Sequence, residues 1–402
     1  MNIPISLPGC GRTNCNHFHS SQQQETLRSN GNYVFSSLAE LNNSKDTSPK
    51  VTNYNLPPVD IQAVEELRER YFPLARSYNR SERQCENYVE LKSKSISHIR
   101  RVVVIGDSIS DAGAIRSRTH GRLVPLSKYF DGRFSNGYIW PELLTAPAFL
   151  NNPKLQSGEK NTLQLLNLSE GGSTIRNYSK RLNPILHILT NLDKQIKRIS
   201  KKDDANPSDL FILELGANDY MIDINNPEKK IAKLCSTIES FIKEKNVKFF
   251  ICFNLPSIYD IPFSQKTNKR WIERVNISFN RHNHLLENMV QEINNIYEKQ
   301  GVKVHIFDVQ KLVSSVLVES KKLQYSTGSF HKDSWGYLTA KGVLGLDKKK
   351  PIELDHRFVF HDDAHPAHEL HQIIASSLTD FISNNFGIPF GNSTKSAFAH
   401  RK

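Results

Sequence analysis

From about residue 100 onward, apolar residues along this chain alternate between two rhythms. Arg101-Val102-Val103-Val104-Ile105-Gly106 is an unbroken β-branched run closed by glycine, the pattern of a strand buried on both faces of a parallel sheet. Runs of the same kind recur at Thr162–Leu168, Asp209–Leu215, Val247–Phe253 and Val302–Phe307. Between them, stretches near 183–200, 227–245, 268–299 and 309–320 carry apolar residues at helical spacing. A last helix is expected from Pro366 to about Asn384, since proline suits a first turn. Strands alternating with helices in this way predict an α/β fold: a doubly wound, three-layer α/β/α sandwich around a central, mostly parallel sheet.

Before residue 100 the rhythm is lost. Residues 1–58 are rich in Asn, Ser, Gln and Pro without a sustained period, which predicts a disordered tail. Within it, Cys10, Cys15, His17 and His19 bring two thiols and two imidazoles into ten residues. That spacing suits a small zinc knuckle, and it also suits a flexible tail that happens to carry Cys and His. Residues 59–98 place Val64, Leu67, Tyr71 and Leu74 at helical spacing, a helical extension that packs on or leads into a domain spanning 99–386. Residues 387–402 read as a second flexible tail.

Composition narrows the classes. Apolar residues make up 38% of the 402, somewhat low, as expected when polar tails dilute a globular domain. The longest apolar runs, such as Phe249-Phe250-Ile251-Cys252-Phe253, are far too short to span a bilayer. The start, Met1-Asn2-Ile3-Pro4-Ile5, lacks the basic and apolar regions of a secretory signal. The expectation is a cytoplasmic protein, or one exported by a non-classical or dedicated secretion system. Five scattered cysteines do not form a disulfide framework. A net charge of +12 favours anionic surfaces or substrates. No nucleic-acid recognition motif accompanies it, so no nucleic-acid partner is expected.

The chemistry gathers at the ends of the expected strands, where open α/β sheets bind their ligands. Ser108 follows the first strand in Gly106-Asp107-Ser108 and is placed to be a nucleophile, given a base, an orienting group and oxyanion donors. Asp362 and His365 stand three apart just before the last helix. There the carboxylate either fixes the imidazole tautomer or merely caps the helix. Gly171-Gly172 follows the second strand and offers a backbone N–H without a side chain in the way. Asn218, in Gly216-Ala217-Asn218-Asp219, follows the third and offers an amide donor.

Taken in order, Gly106-Asp107-Ser108, Gly171-Gly172, Gly216-Ala217-Asn218-Asp219 and Asp362-x-x-His365 resemble the four blocks of the SGNH (GDSL) hydrolases over about residues 100–385. Gly106–Gly113, Gly132–Gly137 with Trp140, and Asn254-Leu255-Pro256 with Pro262 are further similar to bacterial GDSL lipases. That subgroup holds thermolabile-haemolysin-like phospholipases and glycerophospholipid–cholesterol acyltransferases. The resemblance implies an SGNH hydrolase-like, flavodoxin-like fold, with Ser108 as nucleophile, His365 as base and Asp362 as its partner. It implies an oxyanion hole from the Ser108 and Gly172 amides and the Asn218 side chain, and no cofactor. Gly172 is chosen over Gly171 by matching Asn167 to the leading Asn of the family block. Where the family often has Trp before the catalytic Asp, this chain has His361, which predicts a looser loop.

The implied function is a lipid esterase, phospholipase A or lysophospholipase in type, with acyl transfer to an alcohol open to it. A carbohydrate or small-molecule acetylesterase is the alternative enzyme, and an inactive lipid- or glycan-binding protein of the same fold the alternative outside enzymes. A metal site built from His361, His365, His368 and His371 with Asp362 and Asp363 is the rival chemistry. Against it, His368 and His371 are expected on a helix face turned away from the loop. Arg176, Lys180, Arg181, Lys194, Lys197, Arg198, Lys201 and Lys202, interleaved with leucines and isoleucines, suit either contact with an anionic membrane or an ordinary amphipathic helix.

Overall fold

The computed structural model describes Leu74, Ile99 and residues 101–145 (Ser127 apart), 164–178, 189–199, 204–331 and 357–386. The proposed zinc ligands Cys10, Cys15, His17 and His19 and both terminal tails lie outside these residues, as does most of the 59–98 extension. Leu74, the described residue of that extension, is helical and fully buried among core residues of the sheet domain. Its N–H donates to Glu369 Oε1 at 2.9 Å.

Five strands form the central sheet: β1 (Arg101–Gly106), β2 (Gln164–Asn167), β3 (Asp209–Glu214), β4 (Phe249–Phe253) and β5 (Lys303–Phe307). All pairs are parallel, in the order β2-β1-β3-β4-β5, so the doubly wound arrangement expected from the alternating pattern is the one observed. β1 is therefore internal, with β2 and β3 as neighbours on opposite sides, and the chain's direction of travel across the sheet switches beside it. Crevices beyond the carboxyl ends of strands form at such a switch point.

Successive side chains of a strand face opposite sides of the sheet, so each apolar run builds two cores. On one face Val102, Val104, Leu210, Ile212, Ile251 and Phe253 pack with α2 (Trp140–Thr145), α7 (Val309–Lys322) and α8 (His368–Phe386). On the other, Val103, Ile105, Phe211, Leu213, Phe250 and Cys252 pack with α3 (Leu192–Ile196), α5 (Pro227–Lys245) and α6 (Lys269–Tyr297). Short α1 (Ala114–Arg118) follows β1, and α4 (Ala217–Ile222) follows β3. No described helix is long and apolar enough to cross a membrane.

Two parts of the fold are absent from the apolar pattern. β6 (Ser326–Ser329) and β7 (Phe358–Phe360) pair in parallel as a small second sheet. β7 leads into a loop closed by the His361 N–H donating to His365 O at 2.8 Å. The second part is the connection from α1 to α2, which is folded around a buried ion pair. Arg133 donates from Nε to Glu142 Oε2 at 2.8 Å and from Nη2 to Oε1 at 2.5 Å, with both side chains 1% exposed. The pair fixes a segment whose Ser135 Oγ donates to Pro366 O at 3.0 Å and whose Asn136 Oδ1 accepts from the His368 N–H at 2.7 Å. It thereby holds the start of α8 and the loop before it.

Glu142→Ala is expected to lower stability by about 3–5 kcal/mol, because the buried guanidinium loses its bidentate partner. Chemical denaturation checks this; an unchanged midpoint would show that the pair is not structural.

Candidate active site

The turn after β1 owes its shape to what Gly106 lacks. A Cβ there would lie 2.8 Å from Ser110 Cβ and Ser169 Oγ and 2.9 Å from Glu214 Oε2. On the backbone of the same residue, Gln195 accepts from Gly106 N at 3.1 Å and donates to Gly106 O at 2.7 Å. Glu214, at the end of β3, accepts from the Asp107 N–H at 3.2 Å and from Ser110 Oγ at 2.7 Å. The turn is closed by the Ser110 N–H donating to Asp107 O at 3.2 Å. Ser108 is carried at its apex.

The loop between β7 and α8 meets that apex. Ser108 Oγ lies 2.8 Å from His365 Nε2, and His365 Nδ1 lies 2.8 Å from both oxygens of Asp362. The Asp362 carboxylate also accepts the Ala364 and His365 amides at 2.9 and 2.8 Å and the Tyr129 hydroxyl at 2.7 Å. Burial pushes this carboxyl up, but the His365 charge and these donors outweigh it and hold it well below the usual carboxylate range. Asp362 is therefore an anion suited to orienting the ring and to stabilising an imidazolium. Phe134 lies against that ring, with centroids 4.8 Å apart.

The donor candidates converge through shared contacts. Asn218, in the first turn of α4, donates from Nδ2 to Asp107 Oδ2 and to Ser173 O, each at 3.1 Å. One side chain thus ties together the loops after β1, β2 and β3. Both amide hydrogens are spent on these acceptors, so an oxyanion has to take one of them over. Gly171 and Gly172 divide their tasks: the Gly171 N–H donates to Asp111 Oδ2 at 2.8 Å. The Gly172 N–H has no acceptor among the described residues, and Gly172 has a φ of +75°.

Buried carboxylates that the sequence reading passed over pin these loops. Asp219 accepts the Ile175 and Arg176 amides at 2.7 and 3.2 Å and the Tyr178 hydroxyl at 3.0 Å. Asp111 accepts the Gly113 and Ile115 amides at 2.8 and 3.2 Å as well as that of Gly171. Burial raises Asp107 and Asp219 to about 6 and Asp111 to about 7, against the pull of their amide donors. Glu214 is raised further, by burial and by the neighbouring Asp107 charge. Their acidic character is visible in the sequence, but their burial is not.

The remaining histidines depart from expectation. His361 tightens its loop rather than loosening it: its Nε2–H donates to Lys128 O at 2.7 Å and its ring packs on Tyr129 and His331. His368 and His371 lie in the first turn of α8. Both are buried, with His368 Nδ1 donating to Tyr138 O at 2.5 Å and His371 Nδ1 accepting from Trp140 N at 3.4 Å. Burial lowers His361 to about 3 and His368 to about 4, and lowers His371 further, so all three rings are neutral near pH 7. They serve as spacers with backbone partners, and no metal-ligand grouping of three or more occurs among the described residues.

Part of the basic stretch is likewise committed within the domain. Arg198 pairs with Glu170 Oε2 at 2.5 Å, and Lys194 Nζ donates to Leu189 O at 3.0 Å. Lys180, Arg181, Lys201 and Lys202 lie outside the described residues.

Comparison with known proteins covers the same part of the chain. Residues 102–378 match the GDSL-like Lipase/Acylhydrolase family. The chain is 28% identical over 331 residues to the secreted effector protein SseJ of Salmonella typhimurium, covering 81% of this chain and 73% of that one. It is 31% identical over 221 residues to the phosphatidylcholine-sterol acyltransferase of Aeromonas hydrophila, covering 54% and 60%. With the thermolabile hemolysin of Vibrio parahaemolyticus it shares 23% identity over 293 residues, covering 71% and 64%. The latter two are matched over less than two thirds of their own length.

Gly172→Ala is expected to cost about 1–2 kcal/mol, the penalty of a left-handed L-residue. Its Cβ would also stand 2.8 Å from Leu189 Cδ2. A urea melt measures the loss; a wild-type midpoint would mean that the turn is not left-handed.

Proposed function

The chain belongs to the GDSL-like lipase/acylhydrolase family, and on that premise we propose that it cleaves carboxylic esters of lipids through an acyl-serine intermediate. The observation that carries this reading is the unbroken relay from Ser108 Oγ through His365 to Asp362, at 2.8 Å per step. His365 Nε2 takes the hydroxyl proton as Ser108 Oγ bonds to the ester carbonyl carbon, while Nδ1–H stays on the Asp362 carboxylate. The carbonyl oxygen becomes an oxyanion held by the Ser108 and Gly172 amides and Asn218 Nδ2. His365 returns the proton to the departing alkoxide, leaving the acyl group on Ser108. Water or an acceptor alcohol, deprotonated by the same imidazole, then releases it.

Every group that this cycle needs is a side chain or amide of the chain itself, so the reading assigns no cofactor. The lipid substrate is supported by the relatives, one of which is a phosphatidylcholine-sterol acyltransferase. Hydrolysis and transfer share the intermediate and differ only in which hydroxyl reaches it, so both belong to the proposal. The catalytic unit is assigned to residues 99–386.

Ser108→Ala is expected to abolish ester cleavage with the fold intact by circular dichroism; retained activity would remove the assignment. Asn218→Ala is expected to lower kcat by about 10²- to 10³-fold, as loss of one oxyanion donor does. Phosphatidylcholine vesicles with and without cholesterol, analysed for free fatty acid and sterol ester, identify the acceptor. Failure to release acyl chains from any phospholipid while cleaving acetylated sugars would replace the lipid reading.

A further inference from the structure

Tyr129 contributes a hydroxyl to this relay although it belongs to none of the family blocks, and nothing in the chemistry of ester cleavage calls for a phenol there. The residue is fully buried. Its O–H reaches Asp362 Oδ2 at 2.7 Å across a separation of 233 residues. Asp362 Oδ1 takes both amides of its own loop, so the phenol is the donor that reaches Oδ2 from a different segment.

The segment bearing the phenol is held at both ends. The Tyr129 N–H donates to Pro125 O at 3.0 Å, and the Phe130 N–H donates to Ser135 O at 2.8 Å. Next to it, Lys128 O accepts from His361 Nε2 at 2.7 Å, tying the segment to the loop that carries Asp362. The Tyr129 ring meets Phe134 edge-on with centroids 5.7 Å apart, and Phe134 in turn lies on His365. The phenol is therefore aimed at the carboxylate by contacts that also support the imidazole.

We propose that Tyr129 is a positioning residue of the ester-cleaving site: by donating to Asp362 Oδ2 it fixes the plane of the carboxylate, and with it the orientation of His365. The proposal rests on the assignment of Ser108, His365 and Asp362 as the catalytic relay. A hydrogen bond to one carboxylate oxygen restricts rotation about the Cβ–Cγ bond and draws charge toward that oxygen. Losing it frees the carboxylate to turn and leaves its charge undiluted, which strengthens its hold on the imidazolium. The base then becomes harder to deprotonate and less well aimed.

Tyr129→Phe removes the hydroxyl and keeps the ring. On a soluble p-nitrophenyl ester its kcat is expected to fall about tenfold, the scale of one hydrogen bond to a charged group, with KM unchanged within about twofold. The acid limb of kcat/KM is expected to move up by about half a pH unit. Asp107, whose carboxyl also bears on His365, and the buried neutral rings of His361 and His371 are unaltered in this variant.

A double-mutant cycle with Asp362→Asn separates positioning from support of the fold. If Tyr129 acts through the carboxylate, Tyr129→Phe lowers kcat little further in the Asp362→Asn background. Equal losses in both backgrounds, or an unmoved acid limb in the single variant, would overturn the inference. Should Ser108→Ala or Asp362→Asn retain full activity, the relay itself fails and the inference goes with it. If those two variants are inactive or strongly impaired while Tyr129→Phe matches wild type, only the inference fails.

Discussion

A hydroxyl and an imidazole that are 257 residues apart in the chain approach to 2.8 Å, and the rest of the domain is arranged so that they stay there. Ser108 gets its position from the internal strand of the sheet, through a glycine that leaves room for Ser110, Ser169 and Glu214 and whose backbone is held by Gln195. His365 gets its position from a loop closed on itself and held by the segment around Arg133 and Glu142. Neither anchor is sufficient alone. A fraction of an ångström lost at either end weakens the alignment that proton transfer needs.

The loops that carry the site have few backbone partners from regular structure, and buried carboxylates supply acceptors instead. Asp107, Asp111, Asp219, Glu214 and Asp362 each accept at least one loop amide. Buried N–H groups must find acceptors, and a carboxylate offers several lone pairs in a small volume. The cost appears as raised carboxyl pKa values at Asp107, Asp111, Asp219 and Glu214, where burial outweighs the donors and charges around them. Asp362 is set apart because the His365 charge, together with the ring, amide and phenol donors bound to it, outweighs its burial.

Histidines show the same dependence on surroundings in the opposite direction. His365 is tied to an anion and to a serine, while His361, His368 and His371, all within six residues of it, are buried neutral rings bound to backbone groups. The cluster looks like a ligand set in one dimension. In three dimensions each ring has its own partner, and the rings fill space around the loop.

Strands β1 to β5 and helices α5, α6 and α7 were legible in the sequence to within a few residues, because a two-sided apolar run or a helical period is a local property that burial reinforces. Ser108, Gly172, Asn218, Asp362 and His365 could be picked out as candidates because catalysis needs particular atoms at the ends of particular strands. Tertiary structure alone decided the β6–β7 pair, the Arg133–Glu142 ion pair and the Tyr129 hydroxyl on Asp362. It also decided that the Gly171 amide is committed to Asp111. These depend on segments that meet, or are shut off from water, only when distant parts of the chain have packed, and the strength of a polar contact is set by how much water that packing removes. Periodicity carries no record of it.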